Sequence, residues 1–127
     1  MLRRTLVLVP VLVLALAAGT LAAPLEPLVL GWEQFFRLDW SSGERGGRPV
    51  VYGHVVNEWG MPARGVRLLV DALDPAGQVV AQNVTWVPGI LTPGTTAYFE
   101  SPAPPASSYR VSVFAFDWIQ SGGEVDR

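Results

Sequence analysis

Side chains that could carry acid–base, nucleophilic or metal chemistry are few in this chain of 127 residues. His54 is its one histidine and cysteine is absent, whereas a zinc-type site needs about three or four nitrogen or sulfur ligands. We therefore interpret His54 as a packed or solvated strand residue. No serine or threonine forms a recognisable local motif with a histidine base, and Gly-x-Ser-x-Gly is missing. The sequence predicts no metal, no cofactor and no nucleophilic catalysis.

Paired carboxylates are the remaining route to catalysis, as a general acid and a general base. Asp71 and Asp74 lie close together in the sequence, and Glu58, Glu100 and Asp117 are scattered. Asp74 belongs to a predicted turn, and Asp71 is expected to point outward from a strand. The sequence therefore predicts that the protein is not an enzyme.

The first residues have the three-part layout of a secretory signal. Residues 1–4 are basic, residues 6–18 are apolar, and small residues follow. We predict a signal peptide over residues 1–22, cleaved after Ala22, and hence an exported protein of the periplasm, the cell envelope or the medium. The alternative is an uncleaved anchor, because residues 6–23 together number 18, at the lower edge of the length that can span a bilayer. Only in that case do we expect contact with a membrane.

Residues 23–120 are predicted to form one β-sandwich domain, and residues 121–127 a frayed tail. Without its first 22 residues the chain keeps seven arginines and eleven carboxylates, a net charge near −4. It has no lysine and no basic cluster, so it lacks the positive footprint of a nucleic-acid-binding protein. It also lacks cysteine, so packing alone must stabilise an exported domain of this size.

The clearest structural pattern is a β-hairpin over residues 66–80. Asp74, Pro75 and Gly77 suit successive places in a type I turn with a bulge. Side chains alternate along a strand, and one face before the turn is wholly apolar and is predicted to face the core: Val66, Leu68, Val70 and Ala72. The other face carries Arg67, Leu69, Asp71 and Leu73. Neither face of the strand after the turn is purely apolar, so its inward face stays undecided.

Further strand patterns flank this hairpin. Residues 35–40 favour a strand, although a helical face remains an alternative. Residues 41–48 are rich in turn residues and are predicted to form a loose hairpin tip before a strand over residues 50–56. A loop is predicted over residues 57–65.

Beyond the central hairpin, residues 87–89 are predicted to end a strand, and Pro93 and Gly94 suit the middle of a type II turn. Strands over residues 95–100 and 109–118 flank a proline-rich connector. Six to seven short strands without a convincing helix predict an all-β, antiparallel two-sheet sandwich of the immunoglobulin or fibronectin type.

The placed residues resemble the FxLYD-type family of bacterial envelope domains over residues 50–113. The matching segments, in order, are Gly53-x-Val55-x-Asn57, Val70-x-Ala72-Leu73-Asp74-x-x-Gly77, Leu91-x-Pro93-Gly94, Phe99, and Tyr109-x-Val111-x-Val113. Of the hallmark, the Asp and the later Gly are retained, and Val70, Ala72 and Leu73 stand where the family has Phe, Leu and Tyr. The resemblance implies an immunoglobulin-like sandwich in the cell envelope without catalytic residues.

The loop over residues 57–65 is the candidate contact surface, because Trp59, Met61 and Pro62 are apolar residues where polar ones are expected. Alternatively, the loop folds over the open end of the sandwich and buries Trp59. Asn57 is expected to hydrogen-bond backbone groups at the loop entry. We therefore expect a protein-interaction or structural module with a partner in the envelope. Binding of a small ligand or carbohydrate is the alternative, because five tryptophans could form an exposed aromatic row.

Overall fold

The computed structural model describes residues 23–120, so the predicted signal peptide and C-terminal tail lie outside the described residues. A short 3-10 helix, Trp32–Gln34, precedes six strands: β1 Phe36–Arg45, β2 Arg48–Asn57, β3 Ala63–Leu73, β4 Val79–Leu91, β5 Thr96–Pro102 and β6 Ser108–Trp118. The strands form two antiparallel sheets of order β1-β2-β5 and β4-β3-β6. This confirms the all-β, two-sheet sandwich. Within the described range, no helix is long and apolar enough to cross a membrane.

The chain changes sheets three times, between β2 and β3, between β4 and β5, and between β5 and β6. These orders correspond to strands A-B-E and C′-C-F of the immunoglobulin fold. The core lies between the sheets and is formed by buried apolar side chains, which include Phe36, Leu68, Leu91, Val51, Val55, Val66, Val70, Val87 and Val113. Since cysteine is absent, this apolar packing is what holds the two sheets together.

The register of β4 on β3 settles which face of β4 points inward. The core residues Leu68 and Val70 pair with Thr85 and Asn83, so the inward face carries two polar side chains. Asn83 is half-buried and its Nδ2 donates to Oγ of Ser101 at 2.6 Å. The polar residues that interrupt the apolar alternation of β4 therefore lie where β4 faces β5 across the sandwich.

Asp71 lies on the outer face of β3, as its alternation predicts, but it is buried rather than exposed. The N-terminal segment, residues 23–31, crosses this face. The backbone of Leu25 exchanges two hydrogen bonds of 2.9 Å with the side chain of Gln82, and the amide of Leu28 donates to the carbonyl of Phe114 at 2.8 Å. Gln82 and Arg110 donate to the Asp71 carboxylate at 2.8–3.0 Å, so it is buried with both oxygens paired.

The predicted loose tip over residues 41–48 is wrong. β1 continues to Arg45 and pairs with β2 along its whole length, leaving only Gly46 and Gly47 as the turn. Both have positive φ, 60° and 79°, which is the requirement of a tight two-residue hairpin turn. The serines and the glutamate tolerate strand geometry because their side chains on this edge strand are largely exposed.

Two other predicted boundaries also move. β4 does not end at residues 87–89 but runs to Leu91, because β4 is an edge strand, where Pro88 costs no ladder hydrogen bond. The loop between β2 and β3 is shorter than residues 57–65, since β3 begins at Ala63. The strand favoured over residues 35–40 is present from Phe36, whereas Phe35 caps the short 3-10 helix.

The two predicted turns have the following geometry. Oδ1 of Asp74 accepts the amides of Ala76 and Gln78, each at 2.9 Å, and Gly77 has φ 83°. In the other turn, Pro93 and Gly94 lie between Thr92 and Thr95, whose carbonyl and amide close the turn at 2.9 Å. The first turn joins the paired antiparallel strands β3 and β4, and the second carries the chain from β4 to β5 in the other sheet.

Candidate functional site

Asn57 determines the conformation of the loop that contains Trp59. Its side chain is fully buried. Nδ2 donates to the carbonyls of Met61 and Leu91, and Oδ1 accepts the amide of Trp59, each at 2.8 Å. Its backbone carbonyl also accepts the amide of Gly94 at 2.7 Å. The side chain of Asn57 therefore ties the loop to the end of β4, and its backbone carbonyl ties it to the turn before β5.

Trp59 is partly packed and partly exposed, so it fits neither sequence-based alternative completely. Its ring packs edge-on against Phe35, with centroids 4.7 Å apart and planes at 76°. The residue nevertheless keeps 43% of its surface in solvent. Met61 and Pro62 are half-buried. Of the three candidate contact residues, only Trp59 thus presents a large apolar surface.

The Phe35 ring that contacts Trp59 is itself packed into a cluster of aromatic side chains. Phe35 contacts Trp118 at a centroid distance of 5.4 Å, and Phe36 stacks on Trp118 at 5.7 Å with nearly parallel planes. Phe116 packs edge-on against both Phe36 and Trp118 at 4.9 Å. Phe35 lies just before β1 and Phe36 begins it, whereas Phe116 and Trp118 lie at the end of β6. Aromatic residues at adjacent or alternate positions in both segments are the sequence signal for this cluster, but alternation within one strand does not identify the partner strand.

Glu58 joins the same loop to β1 by an ion pair and to the residue before β1 by a backbone hydrogen bond. The carboxylate of Glu58 pairs with the guanidinium of Arg37, and the amide of Glu58 donates to the carbonyl of Phe35 at 2.8 Å. At the other end of the loop, the carbonyl of Pro62 accepts the amide of Ile119 at 2.8 Å. The indole of Trp59 is therefore presented by a loop with several fixed points.

His54 lies on the outer face of the β1-β2-β5 sheet. Its Nδ1 is 3.2 Å from Oδ1 of Asp39, and both side chains are about half or more exposed, at 49% and 72%. In a Ser–His–Asp triad, the aspartate holds one ring nitrogen of the histidine and the nucleophile hydroxyl contacts the other. Among the described residues, no serine or threonine hydroxyl hydrogen-bonds to the His54 ring. The pair is therefore a solvated cross-strand contact.

The neighbouring charges on this face form a second polar network. Arg45 donates two hydrogen bonds to Glu100, at 2.8 and 2.7 Å, and the hydroxyl of Tyr98 donates to the same carboxylate at 2.9 Å. The hydrogen bonds from Arg45, and then from Tyr98, lower the pKa of Glu100, and the bond to Glu100 raises the pKa of Tyr98. The stability that Glu100 contributes is present above its ordinary pKa and is lost as the pH falls through the lowered value.

The exposed tryptophans do not form a row. Trp40 lies on β1, Trp59 in the loop after β2 and Trp86 on β4, with 38%, 43% and 62% of their surfaces exposed. Within residues 23–120, none of these three rings packs against another. Stacking of successive sugar rings needs aromatic faces aligned along one surface, so this arrangement offers no such platform.

No metal site is found in the described part of the chain, where no three histidine or carboxylate side chains converge. A scan of protein-family models, a search of curated proteins and a search of solved structures each find no match. The function must therefore be inferred from the geometry of the loop and of the two outer sheet faces.

Proposed function

We propose that this chain is a non-catalytic, exported domain of the bacterial cell envelope that binds another protein through the loop bearing Trp59. The observation that carries the proposal is that 43% of Trp59 is exposed on a loop whose backbone is fixed by Asn57. On a mobile loop, a partly exposed indole would not by itself indicate a binding site. Here the hydrogen bonds of Asn57 hold the loop, and therefore the indole, in one position.

Such a residue suits protein recognition. Tryptophan is among the residue types that contribute most at protein interfaces. A side chain that is already ordered loses little conformational freedom on binding, so more of the contact energy becomes affinity. The packing of Trp59 on Phe35 supplies this order.

The resemblance to FxLYD-type domains supports the envelope location in the proposal. The residues that carry it have structural roles here: Asp74 and Gly77 form the turn between β3 and β4, and Pro93 and Gly94 form the turn before β5. Gly53 lies where β1 and β2 approach closely. The Oδ1 atom of Asp74 accepts two backbone amides of its turn, which supports a structural role for this carboxylate.

Substitution of Trp59 by alanine should weaken partner binding and cost about 2 kcal/mol of stability, about half the cost of deleting a fully buried tryptophan. The remaining exposed area is the part available to a partner. Both effects would be measured on one sample, as the urea unfolding midpoint and as recovery of the captured protein from envelope extract.

Trp40→Ala is the matched control, because Trp40 has similar exposure but lies on β1 away from the loop. The control should leave recovery unchanged. Equal recovery with wild type and Trp59→Ala would refute the loop as the contact surface, as would equal losses for Trp59→Ala and Trp40→Ala.

Export with cleavage between Gly19 and Ala23 is the second expected outcome under this proposal. The basic start, the apolar run and the small residues after it motivate the prediction. Intact mass spectrometry of the protein recovered from the envelope fraction measures it directly. A mass that includes residue 1 would contradict cleavage and support an anchored protein instead.

A further inference from the structure

The arginines of the described chain divide into two groups. Three form ion pairs with carboxylates: Arg37 with Glu58, Arg45 with Glu100, and Arg110 with Asp71. The other three make no such pair within the described residues, and they are Arg48, Arg64 and Arg67. Two of these, Arg64 and Arg67, lie close together on β3.

Arg64 and Arg67 face two of the most exposed apolar side chains of β4. Arg67 is the cross-strand partner of Trp86, and Arg64 is that of Ile90. The guanidinium carbon of Arg67 lies 4.7 Å from the ring centroid of Trp86, which is cation–π geometry. Trp86 is 62% exposed and Ile90 is 56% exposed. We call these four side chains the Trp86 patch.

The arrangement of the Trp86 patch is fixed in advance of any binding. Nε of Arg67 donates to the carbonyl of Gly65 at 2.9 Å, so the guanidinium is held from one side and stacked on the indole from the other. The backbone beneath it is a regular strand pair interrupted by a bulge between Arg64 and Val66. This region also lies beyond the part of the outer face that the N-terminal segment covers through Gln82.

The positive charge of the Trp86 patch indicates that its partner carries negatively charged groups. Asp117 is the register partner of Arg64 on β6, and beside Gly65 its Oδ2 and the Nη2 of Arg67 lie 3.5 and 4.0 Å from the position that a Cβ atom would take. Two cations against one anion leave a local excess of positive charge on a chain whose net charge is negative. Guanidinium groups bind carboxylates with paired, directed hydrogen bonds.

We propose that the Trp86 patch binds a polypeptide segment that presents carboxylates beside an aromatic or aliphatic side chain. The apolar side chain would pack on Trp86 and Ile90, and the carboxylates would pair with Arg64 and Arg67. The inference rests on the proposed role of the domain in protein binding but uses a different surface from the Trp59 loop. Tryptophan and arginine are the residue types most enriched in interface hot spots.

The test uses a short synthetic peptide with glutamates on both sides of a phenylalanine, and a matched peptide with glutamine in place of glutamate. Binding to the full chain would be followed by amide chemical shifts and by tryptophan fluorescence. We expect the acidic peptide to shift the amides around residues 64–67 and 86–90, and to bind at least about tenfold more tightly than the neutral peptide. Its affinity should fall as salt is added, because exposed charge pairs are screened.

Trp86→Ala and Arg67→Gln should each weaken binding of the acidic peptide by about tenfold or more. Arg67→Lys keeps the charge but loses the planar stack, so it should retain only part of the affinity. Trp40→Ala, a surface tryptophan on the other sheet, should bind as wild type does. Unchanged unfolding midpoints would show that every variant is folded.

Three results would overturn the inference: no binding of the acidic peptide, equal binding of the neutral peptide, or binding that Trp86→Ala leaves intact. Stronger binding of an acidic oligosaccharide such as oligogalacturonate at the same amides would instead assign the patch to an anionic glycan. Trp59→Ala separates this inference from the proposed function. If that variant loses its envelope partner while no peptide binds the Trp86 patch, only the inference about the patch fails.

Discussion

Replacement of Gly53 by alanine should destabilise the domain by more than about 3 kcal/mol, at the upper end of the cost of overpacking. A Cβ atom at this position would overlap the carbonyl oxygen of Asp39 and lie 2.6 Å from the Cα of Trp40. Both are backbone atoms of the paired strand β1, so no side chain can rotate away. The strand pair itself would have to separate.

Urea unfolding of wild type, Gly53→Ala and Gly77→Ala would measure this effect. Gly77 is the matched control, because its φ is 83° but no atom lies within 4 Å of an added Cβ. Its substitution should therefore cost only the conformational strain, about 1–2 kcal/mol. Equal losses for the two variants would show that β1 and β2 do not approach as closely at Gly53 as the structure has them.

The contrast between these two glycines shows what can be predicted from sequence. Gly77 follows Asp74 and Pro75 in a local turn pattern, and local patterns can be interpreted residue by residue. Gly53 lies in a strand and its requirement comes from β1, which precedes it by more than ten residues. A glycine within a strand indicates close approach in general, but the sequence does not name the backbone that approaches.

The same distinction separates the predictions that are confirmed from those that are wrong. The inward face of β3 is uniformly apolar, so its orientation follows from alternation alone. The burial of Asp71 depends on the N-terminal segment, which crosses the outer face of β3 and β4. No local sequence pattern predicts that this segment packs there. Likewise, residues 41–45 have turn-like side chains but become strand, because β2 offers them a complete ladder of partners.

The candidate site divides in the same way. An asparagine at the end of a strand is expected to hydrogen-bond the backbone of the next few residues. Asn57 does so with Met61 and Trp59. Its bond to Leu91, a residue 34 positions away, depends on the sandwich as a whole. The exposed fraction of Trp59 depends on Phe35, whose ring packs edge-on against the indole.

Substitution of Asn57 by alanine should cost about 3 kcal/mol, because several polar groups lose their partners at once. The carbonyl of Leu91 lies in a buried contact, and the amide of Trp59 and the carbonyl of Met61 are partly buried. Truncation also leaves a void beside a residue with no exposed surface. The loop would lose its connection to β4, so the fixed position of Trp59 should be lost together with the stability.

Two further variants sharpen the measurement of the urea midpoint. Asn83→Ala is the matched control, since this half-buried asparagine has its short bond to Ser101 and should cost about 1 kcal/mol. Asn57→Asp keeps the acceptor for the amide of Trp59 but places a carboxylate oxygen opposite two carbonyl oxygens, so it should be at least as harmful as alanine at neutral pH. A urea midpoint of Asn57→Asp near that of wild type would mean that the Nδ2 hydrogen bonds to Met61 and Leu91 do not hold the loop. Trp59 would then lack the fixed position from which we infer a binding surface.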